Sequence, residues 1–418
     1  MNLLLTLRQP LVPADTGGKI RSLNLFSRLA KRVSIHAVSF ANPVDDASAV
    51  SEMNHIFDRY TPVPWREERK YSPEFYGRVL AAQMNPWPYF LSKCNRPEFA
   101  AAIQTLERQH RFDLLFCDFL HTAAPLLHHR FRPKVVFEHN IEFLLRKRKS
   151  AVEKNPLRKW LLKREWTKTR VIEEQVCRSC EHVFVVSQDD RSTVAREFGV
   201  SHTSALATAV DTDFFSPMHK SVRAQHLAFV GSMDWEPNED AMIWFLQEVY
   251  PRIRRSAPNA SLAIVGRHPS ARLRRLAGQQ PNVEVTGRVD DVRPYLAEAE
   301  VIIVPLRVGG GTRIKIPEAM AMAKAVVSTT VGAEGLPFHS GRDICIADQP
   351  GDFAEAVLML LRDRAMRESI GEAARKIVVE KHRWDAVVDQ LQDALHRLVP
   401  CVESPKSAKH IPSPRLYA

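Results

Sequence analysis

Short apolar runs alternate with longer amphipathic segments along most of the chain. In the first half the apolar runs are NLLLTL, VSIHAVSF, DLLFCD, KVVFEH and HVFVVS. Between the first two runs, apolar residues recur at the spacing of one helix face: Ile20, Leu23, Phe26, Leu29 and Ala30. A loop that ends in Gly17 and Gly18 precedes this segment. The order predicts a strand, a helix that begins at the glycines, and a second strand parallel to the first.

The same alternation begins again after a polar break, SPMHKSVRAQ, at residues 216–225. The apolar runs of this second half are LAFVG, SLAIVG, VEVTG, VIIVP, AVVST and ICIA. Parallel strands need a crossover segment, and the intervening stretches are long enough to be helices. Each half is therefore predicted to be an α/β domain, an open parallel sheet with helices on both faces. Ligands of such sheets bind at the carboxyl ends of the strands.

Length and charge add to this picture. A chain of 418 residues exceeds the size at which one core usually keeps growing, which supports two domains. The first apolar run is too short for a signal peptide, and no window reaches the ~18 apolar residues of a spanning helix. We therefore expect a cytoplasmic protein, either free or peripheral on the inner face of the cytoplasmic membrane. The net charge of +11 predicts an anionic partner, such as a nucleotide sugar, lipid head groups or nucleic acid.

The cysteines do not indicate a disulfide framework or a metal site. Cys117 and Cys345, two of the six, lie inside apolar runs, as reduced core residues do. Cys177 and Cys180 form one CxxC pair, but no second pair or nearby histidine completes a zinc site. We expect both to lie on one helix face, and we expect neither a metal nor a cofactor in the protein.

The stretch PLRVGGGTRIKIPEAMAMA, residues 305–323, is the strongest candidate for a ligand site. It stands between two apolar runs and contains Gly309, Gly310, Gly311, Thr312, Arg313, Lys315 and Glu318. Glycines let the backbone approach a ligand, and a helix start offers unpaired N–H groups to an anion. Because Pro317 fits a first helical turn, Lys315 lies either in that helix or on an extended loop before it. Both geometries favour a bound diphosphate; a solvated glycine-rich turn is the alternative.

This stretch resembles the donor-binding domain of the GT-B glycosyltransferases, specifically glycosyltransferase family 4 and a subgroup associated with polysaccharide assembly. The resemblance spans roughly residues 1–395 and is strongest over 226–336. It implies two Rossmann-like parallel-sheet domains that face each other across a cleft. The expected divisions are an N-terminal acceptor-side domain (1–207), a linker (208–222), a donor-binding domain (223–382), a C-terminal helix that crosses back to the first domain (383–399) and a disordered tail (400–418).

The resemblance assigns donor-binding roles in the second half. Glu318 matches the family glutamate that binds the nucleotide ribose, and the glutamate often found eight positions earlier is Gly310 here. Glu334, in the loop VGAEGL, is a further candidate to reach the donor, with a solvated loop carboxylate as the alternative.

The loop FVGSMDWEPN departs from the family pattern. Many members carry an arginine and a lysine there that neutralise the diphosphate, whereas this chain has Ser232 and Asn238. The cations at Arg313 and Lys315 would compensate for this loss. Gly231 and Ser232 remain predicted donor-binding residues.

In the first half, DTGGKIRS resembles the N-terminal glycine loop of the family, in which Gly17 and Gly18 open a helix toward the cleft. His139 follows the run KVVFE, and the resemblance has it contact the donor sugar or the acceptor. A plain turn and a structural histidine are the respective alternatives.

TAVDTDFF, residues 208–215, resembles the interdomain linker of the family. Its DTD also fits the metal-binding DxD of the other large transferase fold, a less favoured interpretation.

The resemblance implies a retaining, metal-independent hexosyltransferase that moves a sugar from a nucleoside-diphosphate donor to a glycan or polyprenyl-linked acceptor. The predicted catalytic residues are His139, Arg313, Lys315 and Glu318.

The basic segment 144–178, which also carries Trp and Leu, favours an anionic membrane surface as a partner, with an ordinary solvated helix face as the alternative. No nucleic-acid module accompanies it. An inactive nucleotide-sugar or glycan-binding relative and a GT-B sugar-nucleotide epimerase remain alternatives.

Overall fold

The computed structural model of the protein describes residues 1–68, 72–308 and 314–399. These residues form two compact units: residues 1–206 together with 387–399, and residues 207–386. Each unit is built around one parallel sheet. The predicted glycine-rich residues 309–313 and the predicted disordered tail, 400–418, lie outside the described residues.

The first unit contains a seven-stranded sheet in the order β3-β2-β1-β4-β5-β6-β7, with every pair parallel. Its strands are β1 (Asn2–Leu7), β2 (Ser34–Ala41), β3 (Arg59–Pro64), β4 (Leu114–Asp118), β5 (Lys134–Glu138), β6 (His182–Val185) and β7 (Thr203–Ala205). All five predicted runs are confirmed as strands. The pattern missed the two edge strands, because β3 carries Pro62 and Pro64 and β7 has only three residues.

The helices of the first unit fill the crossovers between these strands. They are α1 (Gly17–Leu29), α2 (Ala47–Ile56), α3 (Pro73–Met84), α4 (Tyr89–Ser92), α5 (Pro97–Gln109), α6 (Leu120–Ala123) with the 3₁₀ turn Ala124–Leu126, α7 (Glu142–Val152), α8 (Pro156–Ser179) and α9 (Gln188–Phe198). The predicted helix start at Gly17 is confirmed. The Thr16 hydroxyl caps it by accepting a hydrogen bond from the Lys19 N–H at 3.4 Å.

The second unit contains a six-stranded parallel sheet in the order β10-β9-β8-β11-β12-β13. Its strands are β8 (His226–Val230), β9 (Ser261–Val265), β10 (Val283–Gly287), β11 (Val301–Val304), β12 (Ala325–Ser328) and β13 (Cys345–Ile346), which confirms all six predicted runs. Numbered within each unit, both sheets contain the strand order 3-2-1-4-5-6 of doubly wound nucleotide-binding folds.

The helices of the second unit follow the same plan. They are α10 (Glu236–Trp244) continued by the π-helical turn Phe245–Val249, α11 (Tyr250–Ser256), α12 (Ala271–Gly278), α13 (Arg293–Glu298), α14 (Lys315–Ala321), α15 (Pro350–Arg362), α16 (Arg364–Lys381) and α17 (Trp384–Leu398). Residues of α17 from 387 onward belong to the first unit, where the Gln390 amide donates to the Ala205 carbonyl at 3.0 Å. Across the described part of the chain, no helix is both long and apolar enough to span a bilayer.

A close contact between α14 and α16 depends on a glycine. A Cβ at Gly371, in α16, would lie 2.2 Å from the carbonyl oxygen of Ala323, just after α14. The atom in the way belongs to the backbone, so it cannot turn aside as the end of a flexible side chain could. The packing of α16 in the second unit therefore requires a residue without a side chain at this position.

We expect Gly371→Ala to lower the free energy of unfolding by about 1–3 kcal/mol, because the methyl group overpacks a rigid contact. Gly351→Ala is the matched control, since a Cβ there meets nothing within 4 Å and alanine favours its helix, α15. Thermal and urea unfolding of both variants measure the difference. Equal stability of the two variants would contradict the contact.

Candidate functional site

The loops after β8 and β9 meet at the carboxyl end of the second sheet. The Gly231 N–H donates to the Val265 carbonyl at 2.9 Å, and a Cβ at Gly266 would lie 1.9 Å from the Gly231 carbonyl oxygen. Glycine is therefore needed where these two loops touch. This contact fixes the start of the loop that contains the predicted donor residues Gly231 and Ser232.

Lys315 brings a positive charge into this loop. Its ammonium donates a hydrogen bond to the Asn238 amide oxygen at 2.7 Å and lies 4.2 Å from the centre of the Phe229 ring. A Cβ at Gly231 would lie 2.5 Å from the same ammonium. Asn238 is held in turn, because its Nδ2 donates to the Ser232 carbonyl at 2.8 Å. The predicted cation therefore lies beside Gly231 and Asn238, in the loop after β8.

The start of α14 decides between the two predicted geometries of Lys315. The helix begins at Lys315, so this residue belongs to the helix and not to an extended loop before it. Pro317 is tolerated in the first turn, where its missing N–H would have no helical partner. Arg313 and the glycines before it fall outside the described residues.

Arg267, which the sequence analysis missed, supplies a second cation. It follows β9, and its Nε donates to the Ser232 hydroxyl at 2.8 Å. Its Nη2 lies 3.4 Å from the Asp234 carboxylate, which offsets part of its charge. The adjacency of β8 and β9 brings Arg267 to a residue 35 positions away, so no local motif announces it.

Glu318 lies in the same helix as Lys315, and its side chain is buried. Burial raises the pKa of Glu318 to about 8, against a smaller lowering by the Lys315 ammonium. The two residues interact electrostatically, as their spacing of three predicts. A buried carboxyl group next to a cation is suited to bind hydroxyl groups of a ligand.

Glu334 lies in the loop after β12 and is half-buried. Hydrogen bonds hold the neighbouring turn to the segment after β11. The Thr329 hydroxyl donates to the Leu306 carbonyl and accepts a hydrogen bond from the Gly332 N–H at 2.9 Å. Glu334 therefore follows a fixed turn at the carboxyl end of this sheet, and its contact with the donor stays a prediction.

In the first unit, the glycine loop meets an aromatic ring. A Cβ at Gly18 would lie 2.8 Å from Cζ of Phe119, the residue after β4. Phe119 has a φ of 69°, a conformation that bulky residues rarely adopt. Strained residues of this kind concentrate at functional sites.

His139 stacks on this same ring. It follows β5, is buried, and its ring lies 3.7 Å from that of Phe119, centre to centre. Its Nε2 is 2.7 Å from Oδ1 of Asp118, whose Oδ2 accepts a hydrogen bond from the Ser22 hydroxyl at 2.7 Å. Burial lowers the pKa of His139, which favours a neutral ring, although Asp118 opposes this shift. The structure therefore brings together Gly18 and His139, and adds Asp118 and Phe119, which the sequence analysis did not single out.

Glu138, next to His139 in sequence, belongs to a different cluster. Burial and the carboxylates of Glu173 and Glu142 raise the pKa of Glu138 well above its ordinary value. Glu173 accepts hydrogen bonds from the backbone N–H groups of Glu142 and Phe143, at 2.6 and 2.8 Å, which caps the start of α7. The Glu173 carboxylate thereby joins α8 to the start of α7.

The two motifs that suggested metal binding have structural roles. The Asp211 carboxylate accepts hydrogen bonds from the backbone N–H groups of Asp213 and Phe214, at 3.2 and 2.9 Å, as turn residues do. Cys177 and Cys180 are buried free thiols; α8 ends at Ser179, so the prediction that both lie on one helix face is wrong for Cys180. Within the described ranges, no group of three or more metal-binding side chains is found.

Family models match both units of the chain. Residues 17–214 match the model described as Glycosyltransferase Family 4, and residues 224–363 match the model described as Glycosyl transferases group 1. The chain belongs to glycosyltransferase family 4. The resemblance read from the glycine-rich stretch is thereby confirmed.

Curated relatives of this family 4 chain cover only part of it. Over 238 residues it is 31% identical to the GDP-mannose-dependent alpha-(1-6)-phosphatidylinositol monomannoside mannosyltransferase of Mycobacterium tuberculosis, which is 51% of this chain and 61% of that protein. Over 165 residues it is 24% identical to an uncharacterized 44.6 kDa protein in the cps region of Klebsiella pneumoniae, which is 38% of this chain and 42% of that protein. The chain thus spans less than two thirds of the length of each of these relatives.

Solved structures confirm the two-sheet GT-B fold of this family 4 chain. Sucrose-phosphate synthase from Thermosynechococcus elongatus matches with a TM-score of 0.70 at 17% identity, over 95% of this chain and 99% of that chain. Anabaena HepE in complex with UDP and glucose matches with a TM-score of 0.68 at 14% identity, over 95% of this chain and 100% of that chain.

The buried Glu318 predicts a pH dependence of stability. Its pKa is about 8 when folded and near 4.5 when unfolded, so between these values the folded state holds a proton that the unfolded state has lost. The free energy of unfolding should therefore fall as pH rises from about 5 to 8, by at most ~1.4 kcal/mol per pH unit from this group. Glu318→Gln, which stays neutral, should remove this contribution. Urea unfolding across the pH range measures it.

Glu355→Gln, an exposed carboxylate on α15, is the control and should follow the wild type. A constant difference in stability between wild type and Glu318→Gln from pH 5 to 8 would contradict the raised pKa.

The Asp118 carboxylate holds two buried groups, so its removal should destabilise the first unit. We expect Asp118→Ala to lower the free energy of unfolding by about 1.5–3 kcal/mol, because Ser22 and His139 lose their partner. Asp118→Asn should cost less, since its amide oxygen still accepts one hydrogen bond. Chemical unfolding checks this, with Asp213→Ala, an exposed position, as the control. A loss below about 0.5 kcal/mol for Asp118→Ala would fall in the range of ordinary surface substitutions and contradict the role.

Proposed function

We propose that the protein is a retaining glycosyltransferase that moves a sugar from a nucleoside-diphosphate donor to a glycan or lipid-linked acceptor in polysaccharide biosynthesis. The observation that carries this proposal is the Lys315 ammonium, held 2.7 Å from Asn238 at the carboxyl end of a doubly wound sheet. Nucleotides bind at this edge in such folds, and a fixed cation there suits a diphosphate.

Sugar transfer breaks the bond between the anomeric carbon and the departing diphosphate, on which negative charge grows. A catalyst must stabilise that charge, and preorganised cations do so with little rearrangement. In this proposal Lys315 and Arg267 take the place of the family arginine and lysine that Ser232 and Asn238 replace. Arg313 and the glycine-rich residues before it join them in contacting the phosphates. Glu318 accepts hydrogen bonds from the nucleotide ribose.

The first unit contributes an uncharged hydrogen-bonding group. His139, kept neutral by burial and fixed by Asp118, bonds a hydroxyl of the donor sugar or of the acceptor in this proposal. A neutral imidazole can do this as donor or acceptor. Gly17 and Gly18 open α1 beside this group, and Gly18 lets the Phe119 ring that stacks on His139 lie against the start of the helix.

The names of the similar proteins support a hexose donor and a glycan or lipid acceptor. The mycobacterial relative is described as a GDP-mannose-dependent mannosyltransferase acting on a phosphatidylinositol mannoside, and HepE is described in complex with UDP and glucose. We therefore propose a hexosyltransferase whose donor is a GDP or UDP sugar. Since side-chain cations supply the positive charge at the diphosphate, we propose that transfer does not depend on a metal.

We expect Lys315→Ala to lower turnover about 10²–10³-fold, the loss seen when one group that stabilises developing charge is removed. Lys315→Arg should retain part of the activity, because the charge remains. Release of nucleoside diphosphate from a GDP or UDP sugar, with acceptor present and EDTA added, measures the rate, and NMR of the product reports its anomeric configuration.

Lys376→Ala, an exposed lysine on α16, is the matched control and should turn over normally. Wild-type rates in Lys315→Ala, at an unchanged melting temperature, would contradict the phosphate role. Binding of the sugar nucleotide by the wild type with no product from any acceptor would favour an inactive relative instead.

A further inference from the structure

Helix α3 carries an apolar stripe that no part of the described chain covers. Tyr76, Leu80 and Met84 recur every four residues, which places them along one helix face, and they are 53%, 68% and 94% exposed. Large apolar side chains at such exposure are unusual when they form a stripe, and contiguous exposed apolar surface marks an interaction site.

A second set of exposed apolar residues lies where α7 ends and α8 begins. Val152 closes α7, and Leu157 and Trp160 are three residues apart in the first turns of α8. All three are more than half exposed. The two helices pack against each other, so these residues lie near the turn that joins them.

The two apolar sets adjoin. The Arg164 guanidinium lies 5.0 Å from the centre of the Trp160 ring and donates to the Gln83 carbonyl at 3.0 Å, one residue before Met84. The Lys168 ammonium donates to the Ala82 carbonyl at 2.6 Å. These bonds tie the end of α3 to α8. We call the residues Tyr76, Leu80, Met84, Leu157 and Trp160 the α3–α8 surface.

Positive charge adjoins the α8 part of this surface. Segment 144–178 contains twelve basic residues and four acidic ones, an excess of eight in a protein whose net charge is +11. Lys154, Arg158, Lys159 and Lys163, near the start of α8, are all exposed. The surface thus combines a patch of aliphatic and aromatic side chains with a dense rim of cations.

We infer that the α3–α8 surface docks on an anionic lipid bilayer, with its apolar side chains inserted among the head groups and its basic rim on lipid phosphates. An anionic bilayer accounts for both features of this region. The basic side chains bind negatively charged head groups, and the apolar side chains of the α3–α8 surface are removed from water. Trp160, part apolar and part polar, suits the boundary between head groups and acyl chains. Nucleic acid would satisfy the cations but leave Leu80, Met84 and Leu157 exposed.

This inference goes beyond the proposed function and needs no nucleotide. The test is co-sedimentation of the full chain with vesicles of phosphatidylcholine alone or mixed with phosphatidylglycerol, at low and high salt. We expect binding to the mixed vesicles only, weakened by salt. Trp160 fluorescence should shift to shorter wavelength on binding, and Trp160→Phe should remove that shift while binding persists.

The variant Leu80→Ser/Met84→Ser/Trp160→Ser should bind the mixed vesicles at least tenfold more weakly, because three inserted side chains become polar. The control is Val44→Ser/Met218→Ser/Met359→Ser, which changes three exposed apolar residues outside this surface and should bind as the wild type does. Arg158→Glu/Lys159→Glu should also weaken binding and reduce its dependence on salt. Melting temperatures confirm that each variant is folded.

Three results would overturn the inference. The first is no binding to anionic vesicles, whether or not the protein transfers sugar. The second is equal binding by the two triple variants. The third is tight binding of an oligonucleotide or an acidic peptide together with no binding to vesicles. If Arg158→Glu/Lys159→Glu weakened that binding and the apolar triple variant did not, the exposed cations would be assigned to an anionic macromolecule.

Discussion

The hydrogen bond between the Lys315 ammonium and the Asn238 amide is the interaction on which the candidate site of the second unit depends. It holds a cation at the carboxyl end of the sheet, beside Gly231, where any side chain would collide with it. Glycine at 266 lets the two loops meet, and glycine at 231 leaves space for the ammonium. Helix α14 places the buried Glu318 carboxyl group one turn from the charge.

Two cations reach the loop after β8 from other elements. Ser232 of this loop is contacted by Arg267, which follows β9, and Asn238 is contacted by Lys315, in α14. The first unit differs in kind. It offers a buried histidine, whose pKa is lowered by burial, between an aromatic ring and a carboxylate, a group suited to hydroxyls and not to phosphate.

Sequence pattern predicted much of the fold, because buried parallel strands are continuous apolar runs that few other elements imitate. The sequence left open whether Lys315 lies in the helix, and the start of α14 at Lys315 is what places it on one helix face with Glu318. Sequence pattern missed Arg267 and Asp118, whose contacts depend on which strands are neighbours. β9 lies beside β8, and β5 beside β4, and neither adjacency is written in local sequence. The strain at Phe119 has no signal of its own, because phenylalanine is not a residue that favours a positive φ.

The most direct test of a diphosphate site beside Lys315 is the melting temperature of the wild-type protein with UDP, GDP, ADP or TDP, in EDTA, against the matching nucleosides. A ligand that binds only the folded state raises the melting temperature by mass action. The account predicts that one diphosphate stabilises the protein clearly and its nucleoside does so much less, because the charge interaction is with the phosphates. Equal effects of nucleoside and diphosphate, or no shift with any of the four, would contradict it.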